Sequence, residues 1–94
     1  MTTLVVWSRK ARAHLRSVMD FETTRDPVAA AELARCILHR VAMLGEFPRI
    51  GPPSQRGTRK LVVTGTPYIL IYRETLDRVA IVGLWHHALR KRSK

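Results

Sequence analysis

Cysteine occurs once, at Cys36, so the chain cannot staple itself with an internal disulfide and its stability must come from packing. There is no uninterrupted run of about 20 apolar residues, the length a helical membrane span requires. The opening apolar stretch, Leu4 to Trp7, is too short for a secretory leader and is followed directly by Arg9 and Lys10. Carboxylates are also scarce, with 7 Asp and Glu against 17 Lys and Arg. These absences point to a soluble protein of a reducing cytoplasm, without membrane association.

What is present is a basic chain able to fold. At 94 residues it suits one domain, spanning 1–94, and its 46% apolar residues are spread along the whole length. The formal net charge is +10, and 13 of the 17 cations are Arg, whose planar fork favours carboxylates and phosphates. The charge is uneven: residues 1–47 hold seven basic and five acidic groups, whereas residues 48–94 hold ten and two. The second half is therefore where an anionic partner's footprint is expected. A solvated basic face without a ligand is the plain alternative.

Thr3 to Trp7 is β-branched and aromatic, which predicts a first strand. Ser8 can cap a helix from Arg9 to about Thr23, with Ala11, Leu15, Val18 and Phe21 on its buried stripe. Asp26-Pro27 is an N-cap followed by proline at the first helical position, and opens a second helix to about Gly45. Its stripe is Ala30, Leu33, Ala34, Ile37, Val41 and Leu44. Phe47 to Gly57, with three Pro and two Gly, must be an ordered loop. Three strands follow, Arg59 to Thr64, Tyr68 to Glu74 and Val79 to about Trp85, with connections short enough to require antiparallel neighbours. The tail, about 87–94, is strongly basic. The fold class is α+β, β-α-α-β-β-β, a helical hairpin packed on a small, mainly antiparallel sheet.

Several chemistries fail on spacing. A phosphate loop needs a glycine-rich turn ending in Gly-Lys-Ser/Thr at a helix N-terminus, and neither Gly57-Thr58-Arg59-Lys60 nor Gly65-Thr66-Pro67 leads into a helix. No cysteine pair or His-x-x-x-His exists for a metal, and adjacent His86 and His87 on a strand would face opposite ways. No cofactor is expected. Cys36 lies mid-helix and reads as a small core residue. Metal-free RNA cleavage needs an acid, a base and cations around the phosphate; Arg59, Lys60, Arg73, His86 and His87 could supply them, with His86 or His87 as the acid or base. The plainer expectation is that one of the two histidines packs near the core while the other is solvated, and that Tyr68 and Tyr72 are core or rim aromatics.

The order of Trp7-Ser8, Asp26-Pro27-Val28-Ala29-Ala30 and Leu44-Gly45-Glu46-Phe47-Pro48-Arg49-Ile50-Gly51 resembles the RelE/ParE toxin superfamily. Gly57-Thr58-Arg59-Lys60-Leu61, Gly65-Thr66-Pro67-Tyr68-Ile69, Tyr72-Arg73 and His86 extend the likeness over nearly the whole chain, closer to the ParE branch. The resemblance implies the toxin of a bacterial type II toxin-antitoxin pair, neutralised in a hetero-oligomer by a cognate acidic antitoxin. For the ParE branch it implies growth inhibition by poisoning DNA gyrase, with no chemistry of the toxin's own. The alternative is RelE-like cleavage of messenger RNA at the ribosome through His86 with Arg59, Lys60 and Arg73. A basic nucleic-acid-binding module outside the family is a third reading. For the first, the expected target-binding residues are Arg59, Lys60 and Arg73, gathered at one sheet edge, with Arg90, Lys91 and Arg92 of the tail.

Overall fold

The computed structural model describes residues 2–87. Strand β1 is Leu4–Trp7, and the Ser8 hydroxyl accepts from the Ala11 N–H at 3.0 Å, supplying one of the partners that the first helical turn lacks. Helix α1, Arg9–Arg25, ends two residues beyond the expected boundary. Asp26 closes it through its own N–H to Glu22 O, while its carboxylate accepts from Val28 and Ala29 N–H to start helix α2, Pro27–Glu46. One residue thus serves as the end of one helix and the cap of the next, which folds the pair back into the expected hairpin.

Strands β2 (Arg59–Val62), β3 (Tyr68–Glu74) and β4 (Arg78–His86) form the meander. Strand β2 stops before Thr64 because Val63 already belongs to the turn, donating to Tyr68 O and accepting from Thr66 N–H. The sheet order is β1-β4-β3-β2, with β1 parallel to β4 and the other pairs antiparallel. Strands β3 and β4 are central, which accounts for their near-continuous apolar sequences.

The register sorts side chains between faces. Tyr68, Leu70 and Tyr72 of β3 share the helix-facing side with Leu61 of β2 and with Val79, Ile81 and Leu84 of β4. Ala11, Leu33, Ile37 and Leu44 of the helices close the core over them. Between Ile81 and Gly83, strand β4 carries Val82 as an extra residue, a bulge that keeps both Ile81 and Leu84 facing inward. Phe21 departs from the expected stripe: it is 57% exposed, near the end of α1, with the Arg25 guanidinium 5.3 Å from its ring centre.

The loop after α2 is tied down by polar contacts. Gly51 N–H donates to the Tyr72 hydroxyl at 2.9 Å, and Arg59 Nη1 donates to Gly51 O at 2.8 Å. Lys60 N–H reaches Pro52 O, Ser54 N–H reaches Thr58 O, and Arg49 pairs with Glu74 at 3.1 Å. A side chain at position 51 has no room, since its Cβ would lie 2.4 Å from Lys60 O and 3.0 Å from the Tyr72 hydroxyl. Burial raises the Tyr72 pKa, with the Gly51 hydrogen bond opposing it, so the phenol remains protonated. Farther along the same edge, Arg40 of α2 donates from Nε to Val62 O at 3.1 Å, satisfying another part of β2's outer edge.

Strand β1 ends at Trp7, and Ser8 N–H to Ile81 O is its last link to β4. Farther along β4, the Leu84 N–H instead donates to Nδ1 of His14 on α1, at 3.3 Å. A side chain therefore takes over where the neighbouring strand stops, which requires His14 neutral with its proton on Nε2. Burial, and then Lys10, lower the His14 pKa from 6.5.

Two expectations follow. Tyr72→Phe should cost about 1 kcal/mol and Gly51→Ala about 2–3 kcal/mol in urea unfolding, the second larger because backbone must move. Because folding disfavours the His14 imidazolium, stability should decline as pH falls from 6.5 toward its lower folded pKa, and be complete above 6.5. Urea midpoints at about pH 5 and about pH 7.5 should differ more in the wild type than in His14→Gln.

Candidate functional site

The residues singled out from sequence fall at two ends of the sheet. Arg59 pairs with Tyr72 and shares its face, so its guanidinium turns toward the core side and holds the Gly51 carbonyl. Lys60 and Arg73 occupy the alternate positions and face away from the helices. The three cations cluster at the same end of the hairpin, then, but on two faces. Arg73 Nη1 reaches around to donate to Arg56 O at 2.7 Å. Lys60 is exposed. Arg90, Lys91 and Arg92 lie outside the described residues.

The turn carrying Arg56 is built on left-handed backbone. Arg56 has φ 58° and ψ 40°, and Gly57 has φ 72°; an arginine at such an angle costs about 1–2 kcal/mol relative to a relaxed conformation. The Arg73 hydrogen bond to its carbonyl helps hold it there. Guanidinium groups that bind neutral carbonyls satisfy hydrogen bonds without cancelling charge. Arg59 and Arg73 thus fix the loop and still contribute to the positive field of this end of the molecule.

His86 sits at the other end. It pairs with Tyr68, five residues before Arg73 on β3, which is roughly 17 Å at the rise of a strand. Its ring stands edge-on to Tyr68, with centroids 5.2 Å apart and planes at 85°. The Tyr68 hydroxyl donates to Glu22 of α1 at 2.6 Å, and Arg25 lies 3.7 Å from the same carboxylate. Burial first, then the bond to Glu22, push the Tyr68 pKa up to about 12. Such a phenol is a fixed donor and a poor base at neutral pH.

The geometry therefore brings Lys60 and Arg73 together with the Arg56 turn, and sets His86 with Tyr68, Glu22 and Arg25. It does not bring His86 into one constellation with Arg59, Lys60 and Arg73. Sequence reasoning missed Glu22 and His14 as contributors to this end. Their partners, Tyr68 and Leu84, lie 46 and 70 positions away, and no local pattern pairs residues so far apart. Among the described residues, no three His, Cys, Asp or Glu side chains are grouped to hold a metal ion, and no helix is long and apolar enough to cross a membrane.

Comparison with known proteins supplies the context. Residues 5–89 match the family described as the ParE toxin of the type II toxin-antitoxin system, parDE. A putative toxin, Y4kP of Sinorhizobium fredii, is 35% identical over 81 residues, covering 85% of this chain and 83% of that protein. Toxin RelE2 of Caulobacter vibrioides is 32% identical over 84 residues, covering 89% and 94%. The solved chromosomal ParDE system of P. aeruginosa superposes with a TM-score of 0.81 over 90% of this chain and 96% of its own, at 24% identity, a likeness of fold. The RelBE2 toxin-antitoxin complex of Mycobacterium tuberculosis gives 0.66 at 25% identity, with 94% of each chain covered. With the family match spanning nearly every described element and two toxins above 30% identity, this chain belongs to the ParE toxin family of type II toxin-antitoxin systems, within the RelE/ParE superfamily.

Proposed function

We propose that this toxin arrests growth by binding DNA gyrase in the cytoplasm, without chemistry of its own, and that a cognate acidic antitoxin neutralises it. One observation carries the first part: the cations suited to an anionic target are three to five strand positions from His86, and Lys60 and Arg73 are on the opposite face from it. A phosphodiester held by Lys60 and Arg73 would lie beyond the reach of the imidazole, since general acid-base transfer needs contact at about 3 Å. A surface for occupying a target survives that separation. The net charge of +10 supports an acidic antitoxin, because complementary charge speeds and orients association. The solved relatives, a ParDE system and a RelBE2 complex, are themselves toxin-antitoxin assemblies.

Purified toxin added to an ATP-driven supercoiling reaction should inhibit gyrase, and induction of the toxin alone in cells should stop DNA synthesis before protein synthesis. Unchanged supercoiling together with cut transcripts would instead establish the ribosome-dependent nuclease. Lys60→Glu should raise the concentration for half-inhibition about tenfold, as reversing a charge at a steering surface does. His86→Ala should inhibit as the wild type does.

A further inference from the structure

Between α1 and the last half of β4 is an open cavity of about 400 Å³, near the low end of the volumes that bind ligands. Its lining includes His14, Val18, Phe21, Tyr68, Leu84 and Trp85, an apolar surface rich in rings. His14, Val18 and Phe21 recur at four- and three-residue spacing and form one stripe of α1, and Lys10 and Arg25 continue that stripe at its two ends. Phe21 leaves more than half of its surface outside the core while lining this hollow, so the helix presents an aromatic ring that its own fold does not consume.

Charge around the cavity is one-sided. Helix α1 carries Arg9, Lys10, Arg12, Arg16 and Arg25 against Asp20 and Glu22. The Glu22 carboxylate is already engaged, accepting from Tyr68 and lying beside Arg25. Lys10 is close enough to His14 to lower its pKa, and Arg25 covers the Phe21 ring, so a cation borders the apolar surface at each end.

Building on the antitoxin reading above, we propose that this cavity is an anchor site for an acidic protein segment, the antitoxin's, which inserts one large apolar side chain between carboxylates that meet Lys10 and Arg25. Burying an aromatic anchor in a ready-made pocket, inside a charged rim, is how a few residues come to dominate an interface. A second copy of the chain is disfavoured as occupant by its own charge of +10.

The two tryptophans make the test direct, because Trp85 lines the cavity and Trp7 packs against the core. The indole N–H signals of the ¹⁵N-labelled full chain are followed during titration with the peptide acetyl-Asp-Glu-Phe-Asp-Glu-amide. Saturable movement of the Trp85 signal, with Trp7 unmoved, is expected. Replacing the peptide's Phe by Ala, or its acids by Lys, should weaken binding about tenfold, the scale of losing an anchor or its charge complement. Phe21→Asp in the toxin should do the same with the Trp7 signal in its wild-type position, which reports an intact core. No movement at Trp85, equal movement with the Ala or Lys peptide, or equally strong binding of a single-stranded oligonucleotide would overturn the proposal. Gyrase inhibition by the wild-type chain is read separately, so failure of that reading and failure of this site are told apart.

Discussion

The contact on which most of the cation-bearing end of the sheet depends is the grip on Gly51. Its N–H is held by a phenol rooted in β3 and its carbonyl by a guanidinium rooted in β2, while the Lys60 carbonyl fills the space a side chain would need. A loop with three prolines contributes few backbone donors, and its own bonds close only short turns, such as the 3-10 turn at Gln55–Gly57. The rest of its organisation comes from the sheet. Because the same hairpin that grips the loop also carries Lys60 and Arg73, the position of the loop and that of the cations are set together.

This arrangement gives the arginines two duties that composition alone could not separate. A surplus of guanidinium groups suggests an anionic partner, yet Arg40, Arg59 and Arg73 each donate to a backbone carbonyl of their own chain. Such bonds cover a strand edge and immobilise a turn, at low entropic loss for a rigid planar group. The charge remains available over a distance of several ångströms, screened by salt but not neutralised. Positive potential and loop rigidity in this protein are thus supplied by the same side chains.

The order of elements was readable from sequence because its signals are local. Ser8, Asp26-Pro27 and the glycine turns act over two to four residues, and β3 begins where its apolar run does and extends two residues past it. The face of each cation was less accessible. Alternation along β2 puts Arg59 and Lys60 on opposite sides, and only the register with β3 shows that Arg73 sides with Lys60. Phe21 matched the helical period but faces the end of β4 across an open cavity, so it is only partly covered. His86 and the cations were grouped by residue type. Their separation along the strand follows from which turn joins which strands, and so from topology rather than composition.

The parallel pairing of β1 with β4 joins residues 4–7 to residues 78–81, at nearly the full separation that the described chain allows. Closing so large a loop carries an entropic cost that must be met before the contact stabilises anything. The first strand to leave the ribosome consequently waits for the last before it gains a partner in the sheet. An incomplete nascent chain has β1 without its neighbour and His14 without Leu84. Closure of the sheet is thereby deferred until β4 has been made, by chain connectivity alone.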